Sequence, residues 1–390
     1  MSVSPNETVA GDGKASRALA YLDRRPVVLT LLFVAAVIFF LAVTALSRAF
    51  YAQQNALGTR WSSRGVADLK ARRYPSAVLE FRSALRYSRD NYTYQLDLAQ
   101  ALLGQGKSNE AHAYLINLWD RQPENGFVNL ELARIAAQKA ETDRALRYYH
   151  NAVYATWPDD QEAARRYTRL ELIEYLLKIN AKTQAQAELI ALAANVGDDP
   201  AQQEQLGELF VRAQDYEHAS AAFRQSLKKD PHNHAALAGA GLAAFKLARY
   251  PAAERFLEEA VAAEPQDSQS AAQLKTTKDV LLFDPFRHEL SGAQRAHTVM
   301  QDFNIAGDRL KTCSAQAPGG KPSDGLATLA DNWARMKPRI GESALRRDPD
   351  LVEGAMELVF NIERQTTNSC GLPTGPDLAL LLIAHLHEGN

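Results

Sequence analysis

Ala77, Ala111 and Ala145 stand 34 residues apart, Ala185 follows after 40, and Ala219 and Ala253 restore the interval of 34. Four residues beyond each comes Phe81, Leu115, Tyr149, Leu189, Phe223 or Leu257. Seven beyond comes Ala84, Leu118, Ala152, Leu192, Ser226 or Ala260. Twelve residues before each alanine lies a small residue (Gly65, Ala99, Ala133, Gly207, Gly241), except before Ala185, where Ile173 takes the place. A period of this length restricts the chain to stacked supersecondary units, none large enough to bury its own apolar face. Helix–turn–helix units fit the pattern. A small residue on the first helix admits the second helix closely, and Ala with a large side chain one turn later fills the space between units. Pro123, Pro231 and Pro265 close their units at a common phase, because proline cannot continue a helix.

Trp61, Gly65, Ala77 and Phe81 match the Trp, Gly, Ala and Phe pattern of the tetratricopeptide repeat (TPR) family, which residues 58–267 resemble. Six units follow at 58–91, 92–125, 126–159, 166–199, 200–233 and 234–267. The resemblance implies an all-α solenoid and leaves the ligand unspecified. Asp68 and Ala136 stand where the family usually carries an aromatic residue. The fourth unit lacks both the small residue and the closing proline at their usual places, although Asp198, Asp199 and Pro200 still end it. The six additional residues between Ala145 and Ala185 are expected to lengthen that unit's first helix, since 160–179 reads as helix without a break. Asp159 and Asp160 are expected to cap it.

Residues 26–46 carry no charge and only two threonines. At 1.5 Å per residue they suffice to cross a hydrocarbon core of roughly 30 Å as one transmembrane helix, here assigned to 26–48. Lys14, Arg17, Arg24 and Arg25 precede the span closely, whereas only Arg48 and Arg60 follow it. This asymmetry predicts a cytoplasmic amino terminus and an extracytoplasmic remainder, in the manner of a bacterial inner-membrane protein facing the periplasm. The first 25 residues, rich in Ser, Gly, Asn and Ala, are expected to be a disordered tail.

After the repeats, Ser268–Leu282 reads as a helix capping the apolar edge of the sixth unit, giving a solenoid of 58–282. Residues 283–390 then read as a small helical unit. Ser291 and Gln294 form a capping box before Val299, Phe303 and Leu310. A Pro/Gly-rich loop at 317–322 leads to a helix with Leu326, Leu329, Trp333 and Met336. Asp348 and Pro349 open a third, with Leu351, Val352, Ala355, Met356, Val359 and Ile362 on one stripe, and a short helix follows Pro376. The only two cysteines, Cys313 and Cys370, fall at helix ends, and in an exported unit they are expected to pair.

No Walker loop, GxSxG, HExxH or CxxC occurs, so no catalytic residue, cofactor or metal site is assigned. His232 and His234 belong to a turn after Pro231, and His385 and His387, two apart, do not share a helix face. With 44 basic and 46 acidic residues the chain shows no nucleic-acid footprint. Two patterns bear on binding. Leu96, Leu130, Leu170 and Phe245 occupy positions on first helices expected to line an apolar groove for a partner segment. Lys70, Lys178, Arg212 and Lys246 share a late phase on first helices and form a candidate basic rim, although cations at a helix carboxy terminus are favourable without any partner. Ser62 and Val66 stand where the carboxylate clamp of some TPR proteins needs Lys and Asn. The resulting expectation is a membrane-anchored adaptor that binds other proteins or peptide segments and meets lipid through 26–46. The alternatives are a dedicated subunit of a large membrane complex, and an enzyme whose repeats select substrate for a catalytic carboxy-terminal unit.

Overall fold

The protein is described here from a computed structural model, which places residues 15–157, 161–316 and 322–387. The chain forms two compact units, residues up to Thr168 and from Arg169 onward. Among the described residues there is no strand, only one isolated bridge between Asn125 and Thr156.

The first unit contains α1 (Ala15–Lys70), α2 (Tyr74–Tyr87), α3 (Tyr92–Gly104), α4 (Ser108–Arg121), α5 (Gly126–Gln138), α6 (Thr142–Tyr154) and the start of α7 (Gln161–Lys178). The second continues α7 and adds α8 (Lys182–Ala193), α9 (Pro200–Arg212), α10 (Tyr216–Lys229), α11 (His234–Lys246), α12 (Tyr250–Ala263) and α13 (Ser268–Phe283). It ends with α14 (Gly292–Ala315), α15 (Asp324–Met336), the single turn α16 (Glu342–Leu345), α17 (Pro349–Cys370) and α18 (Pro376–Leu386).

Two local devices recur at the repeat interval. The side chains of Asn91, Asn125, Asp199, Asn233 and Asp267 accept the backbone N–H three residues on, at 2.9–3.2 Å, and so start α3, α5, α9, α11 and α13. Such caps contribute about 1 kcal/mol each by satisfying an N–H that has no partner within the helix. The corresponding Asp159 lies outside the described residues, as does Asp160. Between the paired helices the chain turns through one left-handed residue, at Arg72, Gly106, Ala140, Asn180, Gln214 and Ala248. The alanines of the repeat are fully buried, and so are Phe81, Leu115, Leu189, Phe223 and Leu257 beside them. α7 has 18 residues where α5 has 13, so most of the added length is helical. The half-buried pair Arg169–Glu188, 3.1 Å apart, ties α7 to α8.

Three features depart from expectation or extend it. First, α1 begins at Ala15, so residues 15–25 are helical and not disordered. Ala15, Ala18, Leu19, Ala20 and Leu22 are strong helix formers that let the helix under the apolar run extend backward, while residues 1–14 of the expected tail lie outside the described residues. Second, α1 does not stop between the apolar run and the repeats. Its segment from Val28 is apolar enough to cross a bilayer, with mean hydropathy 2.8 in its best window and exposed side chains there. The same helix, at Gly58 and Gly65, then packs against Tyr94 and Phe81 of the first two repeats. Third, the boundary expected at 283 does not divide the core. Tyr250 of α12 and Val280 and Phe283 of α13 share one apolar cluster with Phe303, Leu310, Trp333, Met356, Ile362 and Leu380. The run of leucines in α18 is what α13 needs as cover, so the terminal helices fold onto the last repeat instead of beside it. Cys313 and Cys370 are joined, with Cα atoms 5.9 Å apart, and link α14 to the end of α17.

Candidate functional site

Within the first unit the second helices α2, α4 and α6 approach one another along a seam, and the residues on it follow from the repeat register. Between α2 and α4 this places Arg82, which follows Phe81, against Glu110, which precedes Ala111, and the two form an ion pair. One period later the equivalent positions are Ile116 and Arg144. An apolar residue now faces a cation, and Arg144 turns to Glu141 of its own turn at 3.0 Å. With no pair across it, the seam opens as a cleft of about 480 Å³.

Three elements build the cleft. α4 contributes His112, Ile116 and Trp119, one side of the helix at i, i+4 and i+7. α5 supplies Leu132, Ile135 and Ala136 as a buried floor. α6 and the turn before it supply Lys139, Glu141, Arg144, Arg147 and Tyr148. The Trp119 indole is fixed rather than free. Its Nε1–H donates to Oδ1 of the buried Asn129 (3.1 Å), whose amide in turn donates to the carbonyls of Pro123 (2.7 Å) and Asn125 (2.8 Å). Tyr148 meets Trp119 edge-on at 6.1 Å. At the mouth, cations outnumber acids. Among the described residues, neither Lys139 nor Arg147 pairs with a carboxylate. Partial burial and the neighbouring Lys139 hold His112 below its usual range.

The residues expected from sequence do not form one site. Leu130 is 3 % exposed and cannot line an open groove. One turn on, Arg134 donates to Tyr167 Oη of α7 at 3.2 Å, so the lengthened α7 reaches this side of α5. Leu96 is half-buried and packs on the cluster around Leu115 and Leu132. Leu170 is half-buried on α7. Phe245 packs edge-on against Tyr250 at 5.6 Å and joins the terminal core. Of the candidate rim, Lys70, Lys178 and Lys246 lie in the last turns of α1, α7 and α11. Arg212, in the last turn of α9, also grips Glu174 through two contacts of 2.6 Å, which keeps the Glu174 carboxyl below the usual range. His234 lies 3.4 Å from Glu264 and 3.2 Å from Asp267, and His387 is packed among Phe286 and Phe360. The cleft opens between second helices over a floor from α5, and none of the first-helix residues expected to bind lines it, yet the sequence carries a signal for it: Ile116 and Trp119 add a second apolar stripe beside Leu115 and Leu118.

The family model for the tetratricopeptide repeat matches residues 63–123, 96–161 and 204–268. These residues are a TPR segment. The match omits α8 and most of α7, the repeat whose first helix is lengthened. Solved TPR structures are similar to parts of the chain at low identity. YrrB, described as a TPR protein with an unusual peptide-binding site, is 15 % identical, with a TM-score of 0.39 over 49 % of this chain and 95 % of its own. PilF of Pseudomonas aeruginosa is 13 % identical, with a TM-score of 0.39 over 56 % and 97 %. PilW, a type IV pilus biogenesis factor, is 15 % identical, with a TM-score of 0.38 over 57 % and 99 %. No curated protein matches the chain.

Proposed function

We propose that the protein is a membrane-anchored TPR adaptor, held in the inner membrane by α1 and binding protein partners on the extracytoplasmic side. The observation that carries this reading is the continuity of α1. Its apolar part passes without a break into the helix that packs against Phe81, which supports a span retained in one helix with the first repeat. The excess of Lys14, Arg17, Arg24 and Arg25 before the span supports the orientation. Binding would bury a partner segment on preformed repeat surface with no covalent chemistry. Enzymatic function gains no support from the side chains brought together.

The test is made on protein from intact cells. It should fractionate with membranes, keep residues 26–46 by intact mass, and give active extracytoplasmic reporters fused after Gly126. Reporters active only in the cytoplasm, or a mature form lacking the apolar segment, would refute the assignment. A dedicated-subunit role is also favoured by the unbroken α1, since such a helix leaves no swivel between span and repeats. Replacing residues 26–46 with a foreign span separates the two: an adaptor keeps its function, and a subunit that contacts partner helices through the span loses it.

A further inference from the structure

Resting on the adaptor reading, we infer that the cleft between α4 and α6 is the docking site for an acidic peptide segment of a partner protein, carrying one large apolar side chain. Its floor is apolar and rigid: Ile116, Trp119 and Ile135 meet there, and the Asn129 hydrogen bonds fix Trp119 in place. A preformed apolar surface binds a side chain without first ordering its own residues, which lowers the cost of association. The mouth adds charge selection. Lys139 and Arg147 are free of carboxylates among the described residues, while the only acid of the lining, Glu141, is engaged by Arg144. Carboxylates flanking the anchor would meet these cations, whereas a basic segment would be repelled.

The neighbouring seam acts as an internal control. Where Arg82 and Glu110 pair across α2 and α4, the chain satisfies itself; where Ile116 and Arg144 replace them, the same surface is left with an apolar floor and cations. The occupant is therefore expected to supply what the seam lacks, a carboxylate beside an apolar group. A peptide backbone can follow the groove between the two helices.

The test uses the full-length protein in lipid nanodiscs and fluorescein-labelled peptides of about ten residues, each with a central Leu or Trp flanked by Asp and Glu, or by Lys and Arg. The acidic peptide should bind saturably and weaken as salt is raised. The double variant Ile116→Arg with Arg144→Glu installs the ion pair of the preceding seam, so the fold is preserved while the cleft closes. It should lower affinity at least about tenfold, equivalent to roughly 1.4 kcal/mol, as should Arg147→Glu, whereas Leu79→Ala, at an exposed position of α2, should leave binding unchanged. Absence of saturable binding up to about 1 mM, equal binding of the basic peptide, or an unchanged double variant overturns the proposal. It is also overturned if the double variant abolishes self-association in sedimentation or attachment to anionic vesicles without affecting the peptide, which would assign the cleft to a second copy or to lipid. Photocrosslinkers at Trp119 and at Leu96 in intact cells separate this claim from the adaptor reading. Crosslinks at Leu96 alone reject the cleft and keep the adaptor, and silence at both rejects both.

Discussion

Gly207 lies beneath the ring of Phe223 so closely that a Cβ there would stand 2.7 Å from Cε1. Gly65 and Phe81 repeat the relationship at 2.7 Å, and Gly241 holds the Leu257 side chain at 2.6 Å. The residues are twelve before and four after the repeat alanine, so the two helices of a unit pack backbone against side chain. Gly207→Ala should therefore destabilise the protein by about 1–3 kcal/mol through overpacking. In denaturant titration the loss should be partly recovered by Phe223→Leu in the same chain, and additive losses would refute the contact.

Glu363 is fully buried, and its Oε2 lies 3.1 Å from Arg309 Nε. Burial, reinforced by the nearby Asp377, pushes its carboxyl up to about 8 against the opposing pull of Arg309. Unfolded, Glu363 would ionise in the ordinary carboxylate range. Between that range and about pH 8 the folded state holds a proton that the unfolded state has released. Stability from this group is thus fully present at low pH and is lost as pH rises through the window, with a slope of roughly 1.4 kcal/mol for each pH unit crossed. Glu363→Gln should flatten this decline and raise stability at alkaline pH, as read by thermal melts across pH. A parallel slope in the variant would assign the dependence to another group.

Cys370 is exposed and Cys313 is buried, and their bond closes a segment 57 residues long. We expect the bond to form in cells, so unreduced digests should contain a peptide linked through both residues. Cys370→Ser should cost about 2–4 kcal/mol. Because Phe283 and Tyr250 share the terminal core, hydrogen exchange should loosen α12 and α13 along with α14 and α17, while α2 to α4 stay protected. Free thiols in protein from intact cells would contradict the pairing.

His112 adds a pH dependence to the cleft. The groups around it are Lys139, Glu141 and Arg144, and in the free protein burial and Lys139 favour its neutral form. A bound carboxylate would favour the charged form, so peptide affinity should rise as pH falls through the range where histidine titrates. His112→Gln should remove that rise. An affinity independent of pH in the unaltered protein would show that the bound carboxylates lie away from this residue.

The helix pairs were legible because packing writes itself into residue size: Gly65, Ala77 and Phe81 can coexist only if two helices touch at those points. The caps were legible in the same way, since Asn125 and Asp199 recur where a first helix must start. The left-handed turns were not, because only Gly106 and Asn180 among the six have residue types that mark such a conformation. The terminal core escaped because Tyr250 serves a repeat by position and the terminal helices by contact. Leu130 misled for a related reason: its phase matches an open helix face, but the folded chain buries it. The cleft required comparing opposite sides of two helices, with Arg82 and Glu110 set against Ile116 and Arg144.

For the anchor proposed above, an unbroken α1 would act as a clock hand as well as a tether. Inserting one residue between Leu46 and Gly58 would rotate the first repeats by about 100° around the helix axis and raise them by about 1.5 Å. Two residues would carry the α4–α6 cleft to nearly the opposite bearing, and seven would restore it at a height greater by about 10 Å. If α1 spans the membrane as proposed, a partner fixed in that membrane would sense the bearing and the height separately, and the compass direction of these repeats would be set by the number of residues in a single helix.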